Sequence, residues 1–369
     1  MKFNTKELVE TLTIMNKMDR GTFSHSEFVF LRSRDGITKL FRMNGHTEIV
    51  TEFQTDNIDC DVAVERKGLL NAVKEVGKKN STITLEVNKD NMTMKVGNFV
   101  LKLIDSSDIV YHVHSDIQMW QFPVEELSNA FNHTIHAAGC ESVMNPSVIH
   151  IVDGKRLYAS DNFRLAIYDM KESLGTTEKL CIHSSSAKFI ADAVGITKAK
   201  TGDIGVTNDM LVVRIGRHTI GVWLRDYILP EYDLILAKEH KTVVYVNAHD
   251  MINALKQIKK ISKADYVHIE MDPNNSAREL TSDIYFTDSI RLFSRDTDGT
   301  ITASIDVPVT FDDRENERVE KIFNIQYLLD ALKPVEKEII SLSDPGADNG
   351  WIDIYGYRYR VMIMGAELL

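Results

Sequence analysis

The sequence has few cysteines and carries none of the common catalytic signatures. Its 369 residues include three cysteines, Cys60, Cys140 and Cys181, which lie far apart and form no CxxC pair. This excludes a disulfide framework and a zinc site of the usual spacing, so we expect reduced and mostly buried thiols. The sequence also lacks a Walker A loop, a GxSxG elbow, an HExxH motif and a Gly-rich dinucleotide fingerprint.

Long apolar runs are absent as well. No stretch approaches the roughly 20 apolar residues of a membrane span, and the first residues, MKFNTKELVE, contain no apolar signal core. We therefore expect a cytoplasmic protein without a membrane partner. The hydrophobic content of 43% is sufficient for ordinary globular cores, and the length allows two or three domains.

The chain repeats one pattern six times at roughly sixty-residue intervals. An apolar residue ends a strand, and helical apolar positions follow five and nine residues later, as in Phe3, Leu8 and Leu12. The fourth copy, around Ile182 and Phe189, is imperfect, and a longer turn through serines 184 to 186 would accommodate its spacing. Such repetition indicates an array of similar units. The predicted helices span residues 5–18, 66–79, 124–138, 186–200, 248–263 and 324–337.

Between the helices, alternating or β-branched segments predict strands, for example at residues 81–87, 98–104 and 206–215. One helix cannot cover its strands alone, so the units should pair. This predicts an α+β fold of three similar domains, each with two helices packed on antiparallel sheets. We place the domains at residues 1–116, 117–242 and 243–369, joined without Gly/Ser linkers.

The net charge of −11 argues at first against nucleic acid as a partner. The predicted helices nevertheless sum to about +7, which leaves about −18 for the rest of the chain. An acidic body with basic helices is typical of a protein that presents one positive surface to a polyanion. The alternative is that each lysine face is simply a solvated helix face. The repeat favours DNA contact, with the candidate lysines Lys67, Lys74, Lys78, Lys188, Lys198, Lys256, Lys259 and Lys263.

Five motifs in order resemble the bacterial-type sliding clamp, the beta subunit of DNA polymerase III, over essentially the whole chain. They are the N-terminal MKF, the segment YASDNFRLA from Tyr158 to Ala166, the LPEY turn at 229–232, the helix entry FNIQYLLDAL at 323–332, and VMIM at 361–364. The resemblance implies three clamp domains per chain and a head-to-tail homodimeric ring around duplex DNA. It also implies a processivity factor without catalytic activity or cofactor, served by a clamp loader and tethering DNA polymerase.

Two copies would supply twelve helices, each about 10 Å wide, and hence a circumference of roughly 120 Å. The corresponding hole, a little under about 40 Å across, admits a duplex with water around it. Lysines on flexible stems suit sequence-independent contact with phosphates.

The resemblance also implies a pocket for short peptides from partner proteins. Carried over by position, its residues would be Ser160, Asn162, Phe163, Arg164, Leu165, Pro230, Leu234, Ile235, Val361, Met362, Ile363 and Met364. Asn162 and Phe163 stand where the family commonly has Gly-His, and the chain continues past the methionines to Leu369. These departures favour an altered partner preference and suit a phage or mobile-element member.

For the ring interface, the segment 98–104 aligns with an edge strand of the family. Phe99 and Leu101 are its candidates, with Lys260 and Ile261 opposite them. Arg20, after the first helix, is a further candidate for contact with DNA; the alternative is an ordinary surface arginine.

Other functions have weaker support from the same residues. The pairs His112 with His114 and His133 with His136 have spacings that suit metal binding but lack an evident third ligand. Asp161 beside Arg164 suggests either an acid-base pair or, more commonly, a turn interaction. A repeat-built scaffold that binds only proteins is the main alternative, which the lysine helices disfavour. Clamps of the proliferating cell nuclear antigen kind need four units per chain, whereas this chain has six.

Overall fold

The structure is a computed structural model. It describes residues 1–56, 58–112, 117–140, 146–232, 236, 239–274, 288–312, 316–345 and 350–366. Within these ranges the chain forms twenty-four strands and six α-helices. No helix among them is both long enough and apolar enough to cross a membrane.

All six predicted helices are confirmed, with ends that differ by a few residues. They are α1 (Thr5–Lys17), α2 (Arg66–Gly77), α3 (Val124–Thr134), α4 (Ser184–Thr197), α5 (Ala248–Ser262) and α6 (Ile325–Leu332). The predicted ends of the third and sixth helices were too long because each finishes in a short 3₁₀ turn, Ile135–Ala137 and Lys333–Val335.

Each helix is preceded by one strand and followed by three, so the described chain contains six βαβββ repeats. The strands are, by repeat, β1 (Lys2–Asn4), β2 (Phe28–Arg34), β3 (Ile37–Met43) and β4 (Thr47–Gln54); β5 (Cys60–Glu65), β6 (Thr82–Asn88), β7 (Thr93–Val96) and β8 (Phe99–Asp105); β9 (Trp120–Phe122), β10 (Val148–Val152), β11 (Arg156–Ser160) and β12 (Arg164–Asp169); β13 (Leu180–His183), β14 (Gly202–Val206), β15 (Met210–Ile215) and β16 (His218–Trp223); β17 (Thr242–Asn247), β18 (Tyr266–Met271), β19 (Asp288–Arg295) and β20 (Ile301–Phe311); β21 (Val319–Asn324), β22 (Ile339–Asp344), β23 (Trp351–Gly356) and β24 (Tyr359–Met364).

The change from strand to helix is encoded by the last residue of the first strand in a repeat. Asn4, Asn247 and Asn324 end their strands and accept hydrogen bonds from backbone N–H groups in the first helical turn. Glu65 and His183 do the same for α2 and α4. These N-caps satisfy donors that the helix itself leaves unpaired, so the helix begins without a connecting loop.

The longer turn expected in the fourth repeat is wrong. β13 ends at His183 and α4 begins at Ser184, as directly as in the other repeats. The positions five and nine residues after Ile182 are Ala187 and Ala191, and both are buried. The repeat is therefore regular, and alanines at its helical positions concealed it.

The continuous strand expected at residues 206–215 is also wrong. Thr207 Oγ1 accepts hydrogen bonds from the backbone N–H groups of Asp209 and Met210. This turn separates β14 from β15 because a threonine side chain can replace the ladder partner of a local N–H group.

The chain divides into two compact units. The first comprises Met1–Phe131, Asp153–Lys155 and Lys171–Asp226. It contains an antiparallel sheet with the order β1-β6-β7-β8-β5-β2-β3-β4-β16-β15-β14-β9. Part of its core is a buried cluster in which the rings of Phe30 and Phe41 stack with centroids 5.0 Å apart.

The second unit comprises Asn132–Val152, Arg156–Met170 and Tyr227–Leu369. Its strands run in the order β10-β11-β12-β24-β23-β22-β17-β20-β19-β18-β21. As expected, Cys60 and Cys181 are buried, whereas Cys140 is exposed.

Candidate functional site

The turn between β11 and β12 carries several of the predicted pocket residues. Asp161 Oδ1 accepts hydrogen bonds from the backbone N–H groups of Phe163 and Arg164, and its Oδ2 pairs with Nε of Arg164 at 2.9 Å. Asn162 has a φ of 69°, a left-handed conformation that asparagine tolerates better than most residues. The Asp161–Arg164 pair is therefore a turn interaction, as the commoner of the two interpretations predicted.

Antiparallel pairing of β12 with β24 brings the two predicted pocket segments together. Leu165 lies opposite Met362 and Arg164 opposite Ile363, and the N–H of Met364 donates to the carbonyl of Phe163 at 2.8 Å. Because side chains alternate along a strand, Met362 and Met364 point to one face. Val361 and Ile363 point to the other face and are fully buried. They pack in the core on that face, and their place in the pocket stays a prediction.

The face that carries Leu165 and Met362 is covered by an apolar cluster. These two residues pack with Tyr158, Ile167 and Trp351. The segment after β16 closes over them through Leu229, Tyr232 and Leu236. The ring of Tyr232 stacks on that of Tyr158 with centroids 6.1 Å apart. Burial raises the pKa of the Tyr232 phenol, and a hydrogen bond with Ser160 opposes that shift.

The exposed part of this region is a rim beside the cluster. Phe163 is 56% exposed and Met364 is 44% exposed, and Pro230 is also on the surface. The Phe163 ring lies 6.3 Å from the ring of Tyr327 on α6, centroid to centroid. We define Phe163, Tyr327, Pro230 and Met364 as the apolar rim. The predicted pocket residues Leu234 and Ile235 lie outside the described residues.

Arg164 connects the turn to α6. Its guanidinium pairs with Asp161 and Asp330 and lies 4.3 Å from the centre of the Tyr327 ring. Burial, and next the charge of Asp161, raise the pKa of the Tyr327 phenol. Arg164 is nearly buried, so it positions the turn and the α6 tyrosine under the rim.

Sequence reasoning missed the aromatic residues of this region. Tyr158, Tyr232 and Trp351 belong to the apolar cluster, and Tyr327 belongs to the rim. For Tyr158, the available signal was its position two residues before Ser160 on one strand, which puts both on the same face. For Trp351 no pattern in the sequence indicated which strand would lie beside β24.

The predicted lysines lie on the surface of their helices. Lys67, Lys74 and Lys78 of α2 are exposed, while Leu69 and Val73 are buried. Among the other candidates, Lys188, Lys198, Lys256 and Lys263 are exposed, and Lys259 is half-buried and donates to Gln326 Oε1 at 3.0 Å. Much of the charge stands at helix C-termini, because Lys78, Lys198, Lys263 and Lys333 are the C-caps of α2, α4, α5 and α6. Cations there are favoured by the helix dipole.

The loop that carries Arg20 is anchored by a buried arginine. The Arg42 guanidinium donates to the carbonyls of Ser26, Met15, Met18 and Asp19. Burial lowers the pKa of Arg42 to about 10, with a contribution from Arg66. Arg20 itself is exposed and pairs with Glu27. No local pattern indicated that Arg42 caps the end of α1.

The last strands of four repeats pair with one another, and those of the other two repeats are partly open on one side in the part of the chain that the structure describes. β4 of the first repeat pairs with β16 of the fourth, and β12 of the third pairs with β24 of the sixth. β8 of the second repeat pairs with β5 only over Leu103–Asp105, so along 99–102 this side of β8 has no strand partner among the described residues. Likewise β20 meets β17 only over 309–311, and along 301–308 that side has no described strand partner.

The predicted interface residues lie next to these two open edges. Phe99 is exposed and Leu101 is half-buried on β8. Lys260 and Ile261 are exposed on α5, which packs against β20. The apolar Ile301 at the start of β20 is also exposed. The open half of β20 itself was not among the predicted interface residues.

Three of the four histidines considered as metal ligands contact other side chains. His133 and His136 both lie against the ring of Tyr359, and His136 Nε2 is 2.7 Å from its hydroxyl. His112 Nδ1 lies 2.8 Å from Glu48 Oε1, and His114 lies outside the described residues. No group of three or more metal-ligating side chains occurs in the part of the chain that the structure describes.

The described chain has six βαβββ repeats, and the last strands of the first and fourth repeats and of the third and sixth repeats are paired. Comparison with solved structures shows that this is the sliding-clamp fold. The structures that it matches include beta subunits of DNA polymerase III. That of Pseudomonas aeruginosa matches with a TM-score of 0.81 and 16% identity over 100% of both chains. That of Thermotoga maritima gives 0.82 and 19%, and that of Borrelia burgdorferi 0.84 and 12%, each over 100% of this chain and 99% of the other. No protein-family model and no curated protein matches the sequence.

Proposed function

We propose that the chain is a DNA sliding clamp, which encircles duplex DNA as a head-to-tail homodimer and tethers DNA polymerase and other proteins. It would act as a processivity factor without catalysis of its own, in the cytoplasm or, for a phage protein, in the host cytoplasm. The fold shared with DNA polymerase III beta subunits supports this at low identity.

The pairing of last strands is the observation that carries the proposal. Repeats one and four join through β4 and β16, and repeats three and six join through β12 and β24. Repeats two and five are left with half-open last strands, β8 and β20. An open strand edge is an association surface. If β8 of each copy pairs with β20 of the other, two copies close into a ring and every last strand is paired.

The pairing of β4 with β16 within the chain serves as a guide to the proposed pairing of β8 with β20 between two chains. Next to the β4–β16 pairing, Thr47 Oγ1 of β4 donates to Ser186 Oγ of α4 at 2.7 Å. The equivalent pairing of β8 with β20 would bring the α5 of one copy against the first unit of the other. That supports Ile261, exposed at the end of α5, as an interface residue alongside Phe99.

Pairs of repeats would form three domains, at residues 1–116, 117–242 and 243–369. The exposed lysines of α2, α4 and α5 would face the DNA, together with Arg20. The net charge of −11 belongs to the whole chain, so positive helices concentrate attraction for phosphates in the channel. A clamp loader would open the ring.

The apolar rim would bind short peptides of the partner proteins. Its exposed Phe163 and Met364 offer adaptable apolar contact, and methionine suits surfaces that accept several related peptides. The segment of Tyr232 and Leu236 already fills the inner part of the face. We therefore assign peptide contact to the rim, with Leu165 and Met362 beneath it.

The test is retention on circular DNA. Protein loaded onto a nicked circular plasmid by its cognate loader should co-elute with the plasmid in gel filtration, and cutting the plasmid once should release it. An encircling ring slides off an end, whereas a protein bound by contacts alone does not. Retention after linearisation, or no loading at all while partner proteins still bind, would favour the protein-only scaffold.

A further inference from the structure

A second feature lies on the same sheet face as the apolar rim. It is a cleft of about 480 Å³ whose lining includes strands β12, β23 and β24. Polar and aromatic side chains dominate its lining, which consists of Arg156, Ile167, Asp169, Leu236, Tyr355, Gly356, Arg358, Tyr359 and Arg360. We call it the arginine cleft. Among the residues that the structure describes, three guanidinium groups and one carboxylate line it, in a chain whose net charge is −11.

Strand register gives the position of the arginine cleft relative to the apolar rim. Leu165, Ile167 and Asp169 alternate along β12 and therefore share one face. Met364 of the apolar rim and Arg360 of the cleft likewise share one face of β24, so the rim and the cleft are separated by four residues of one strand, about 13 Å. Ile167 and Leu236 line the cleft and also belong to the apolar cluster. The cleft is thus a continuation of the apolar face.

Two of the three arginines are held in place by paired bonds to carboxylates. Arg360 donates through Nε and Nη2 to the two oxygens of the buried Asp353, each at 3.0 Å. Arg156 donates through Nε and Nη2 to the two oxygens of Asp169. Both guanidinium groups are therefore oriented before any ligand arrives, and Asp169 is the only carboxylate among the described residues that line the cleft.

Arg358 lies in the turn between β23 and β24. Its backbone has a φ of 60°, its guanidinium lies 5.4 Å from the Tyr357 ring centre, and its Nη1 donates to the carbonyl of Asp169 at 3.4 Å. A guanidinium carries five N–H donors in a fixed plane. A carboxylate is the group that such a fork recognises best, through two parallel N–H donors.

We propose that the arginine cleft binds an acidic side chain of the same partner peptide whose apolar residues contact the apolar rim, about four residues away from that apolar anchor. The proposal rests on the proposed function, since it uses the same peptide. Asp169 among the arginines disfavours a polyanion, whereas Ile167 and Tyr355 offer apolar walls for the methylene groups of a glutamate. The negative charge of the rest of the chain repels an acidic residue of the peptide. The cleft therefore determines where along the peptide an acidic residue is accepted.

Fluorescence anisotropy with short labelled peptides tests the proposal. A neutral peptide with a Leu-Phe pair is compared with peptides carrying one glutamate about four residues before or after that pair. One of the acidic peptides should bind about five-fold more tightly to the wild-type chain, and added salt should reduce the difference.

Two variants show whether the cleft causes the gain. In the double variant Arg156→Gln, Arg358→Asn the gain should vanish while the neutral peptide binds unchanged. Arg318→Gln is the matched control and should keep the gain, because Arg318 is an exposed arginine that pairs with Glu270 on β18 and lies outside the cleft.

The outcomes separate the two proposals. If the neutral peptide does not bind, the peptide surface of the proposed function fails. If it binds but no glutamate improves affinity, or if the gain survives in the double variant, the arginine cleft is not a carboxylate site. Competition by a short single-stranded oligonucleotide or by inorganic phosphate at concentrations that leave the neutral peptide bound would assign the cleft to phosphate instead, and would overturn the peptide proposal.

Discussion

The guanidinium of Arg164 lies 4.3 Å from the centre of the Tyr327 ring and pairs with Asp330 Oδ2 at 3.0 Å. Together with its bond to Asp161, this fixes the turn between β11 and β12 to α6. Phe163 stands on that turn and packs toward the same tyrosine. The shape of the apolar rim therefore depends on a charged residue that a partner peptide need not touch.

Replacing Arg164 by methionine should lower the free energy of unfolding by about 3 kcal/mol. The variant leaves the carboxylates of Asp161 and Asp330 without this cation in a nearly buried position, which is costly. Urea unfolding followed by circular dichroism measures the change. Arg156→Met is the control, because the pair of Arg156 with Asp169 is largely exposed and should contribute less than about 1 kcal/mol. Equal losses in the two variants would contradict this role.

His136 should make the second unit sensitive to acid. Burial lowers the pKa of His136 to about 3, and the Tyr359 hydroxyl donates to the carbonyl of Ala331 and so accepts from His136 Nε2. Between about pH 6.5 and about pH 3 the unfolded chain binds this proton and the folded chain does not. Stability should therefore fall with decreasing pH, by up to about 1.4 kcal/mol per pH unit from this group.

The variant His136→Gln keeps a donor to Tyr359 and removes the titration. Its unfolding free energy should fall less steeply than that of the wild type between about pH 6.5 and about pH 4, as measured by urea unfolding at several pH values. Parallel pH profiles would exclude His136 as the acid-sensitive group.

Exchange of helix lysines for glutamate should weaken DNA association. The variant Lys67→Glu, Lys74→Glu, Lys256→Glu, Lys259→Glu should flatten the plot of log K against log salt, by about 0.9 for each phosphate that the protein no longer neutralises. Binding to loaded plasmid at several salt concentrations provides the slope. Lys155→Glu with Lys171→Glu changes exposed lysines outside the helices and should leave the slope almost unaltered. A similar decrease in both variants would mean only general charge repulsion.

Truncation of the apolar rim should separate peptide binding from folding. Phe163→Ala with Met364→Ala should reduce affinity for a neutral apolar peptide at least about ten-fold, because both side chains are exposed and supply the contact. The free energy of unfolding should change by less than about 1 kcal/mol. Leu165 is unsuitable for this test because it is buried in the cluster. Undiminished binding of the peptide would place it elsewhere.

The repeats could be predicted from the sequence because, in each repeat, the apolar residue near the end of the first strand and two apolar residues of the helix face one core. It failed in the fourth repeat, where Ala187 and Ala191 occupy those positions and carry too little hydrophobic signal. Motif resemblance put Leu165 and Met362 in one predicted pocket, and the pairing of β12 with β24 brings them side by side. It could not separate Val361 and Ile363 from their neighbours Met362 and Met364, since a set of motif residues ignores the alternation of side chains along a strand.

Other features depend on contacts between distant segments. Arg42 bonds to carbonyls more than ten residues away, and the stacking of Tyr232 on Tyr158 joins an irregular segment to a strand. No local period or propensity encodes such pairs. The half-open edge of β20 could not be predicted for the same reason, because it follows from where β17 ends against it.

The ring is tested most directly by the mass of the protein in solution, measured by light scattering over a series of concentrations. We predict a mass near twice the 41.9 kDa chain for the wild type and a shift toward one chain for Ile261→Asp, with dimer affinity at least about a hundred-fold weaker. Ile339→Asp is the control, since Ile339 is 64% exposed and Ile261 65%, but Ile339 lies on β22. A wild-type mass of one chain at micromolar concentration, or a dimer that Ile261→Asp leaves intact, would contradict the ring.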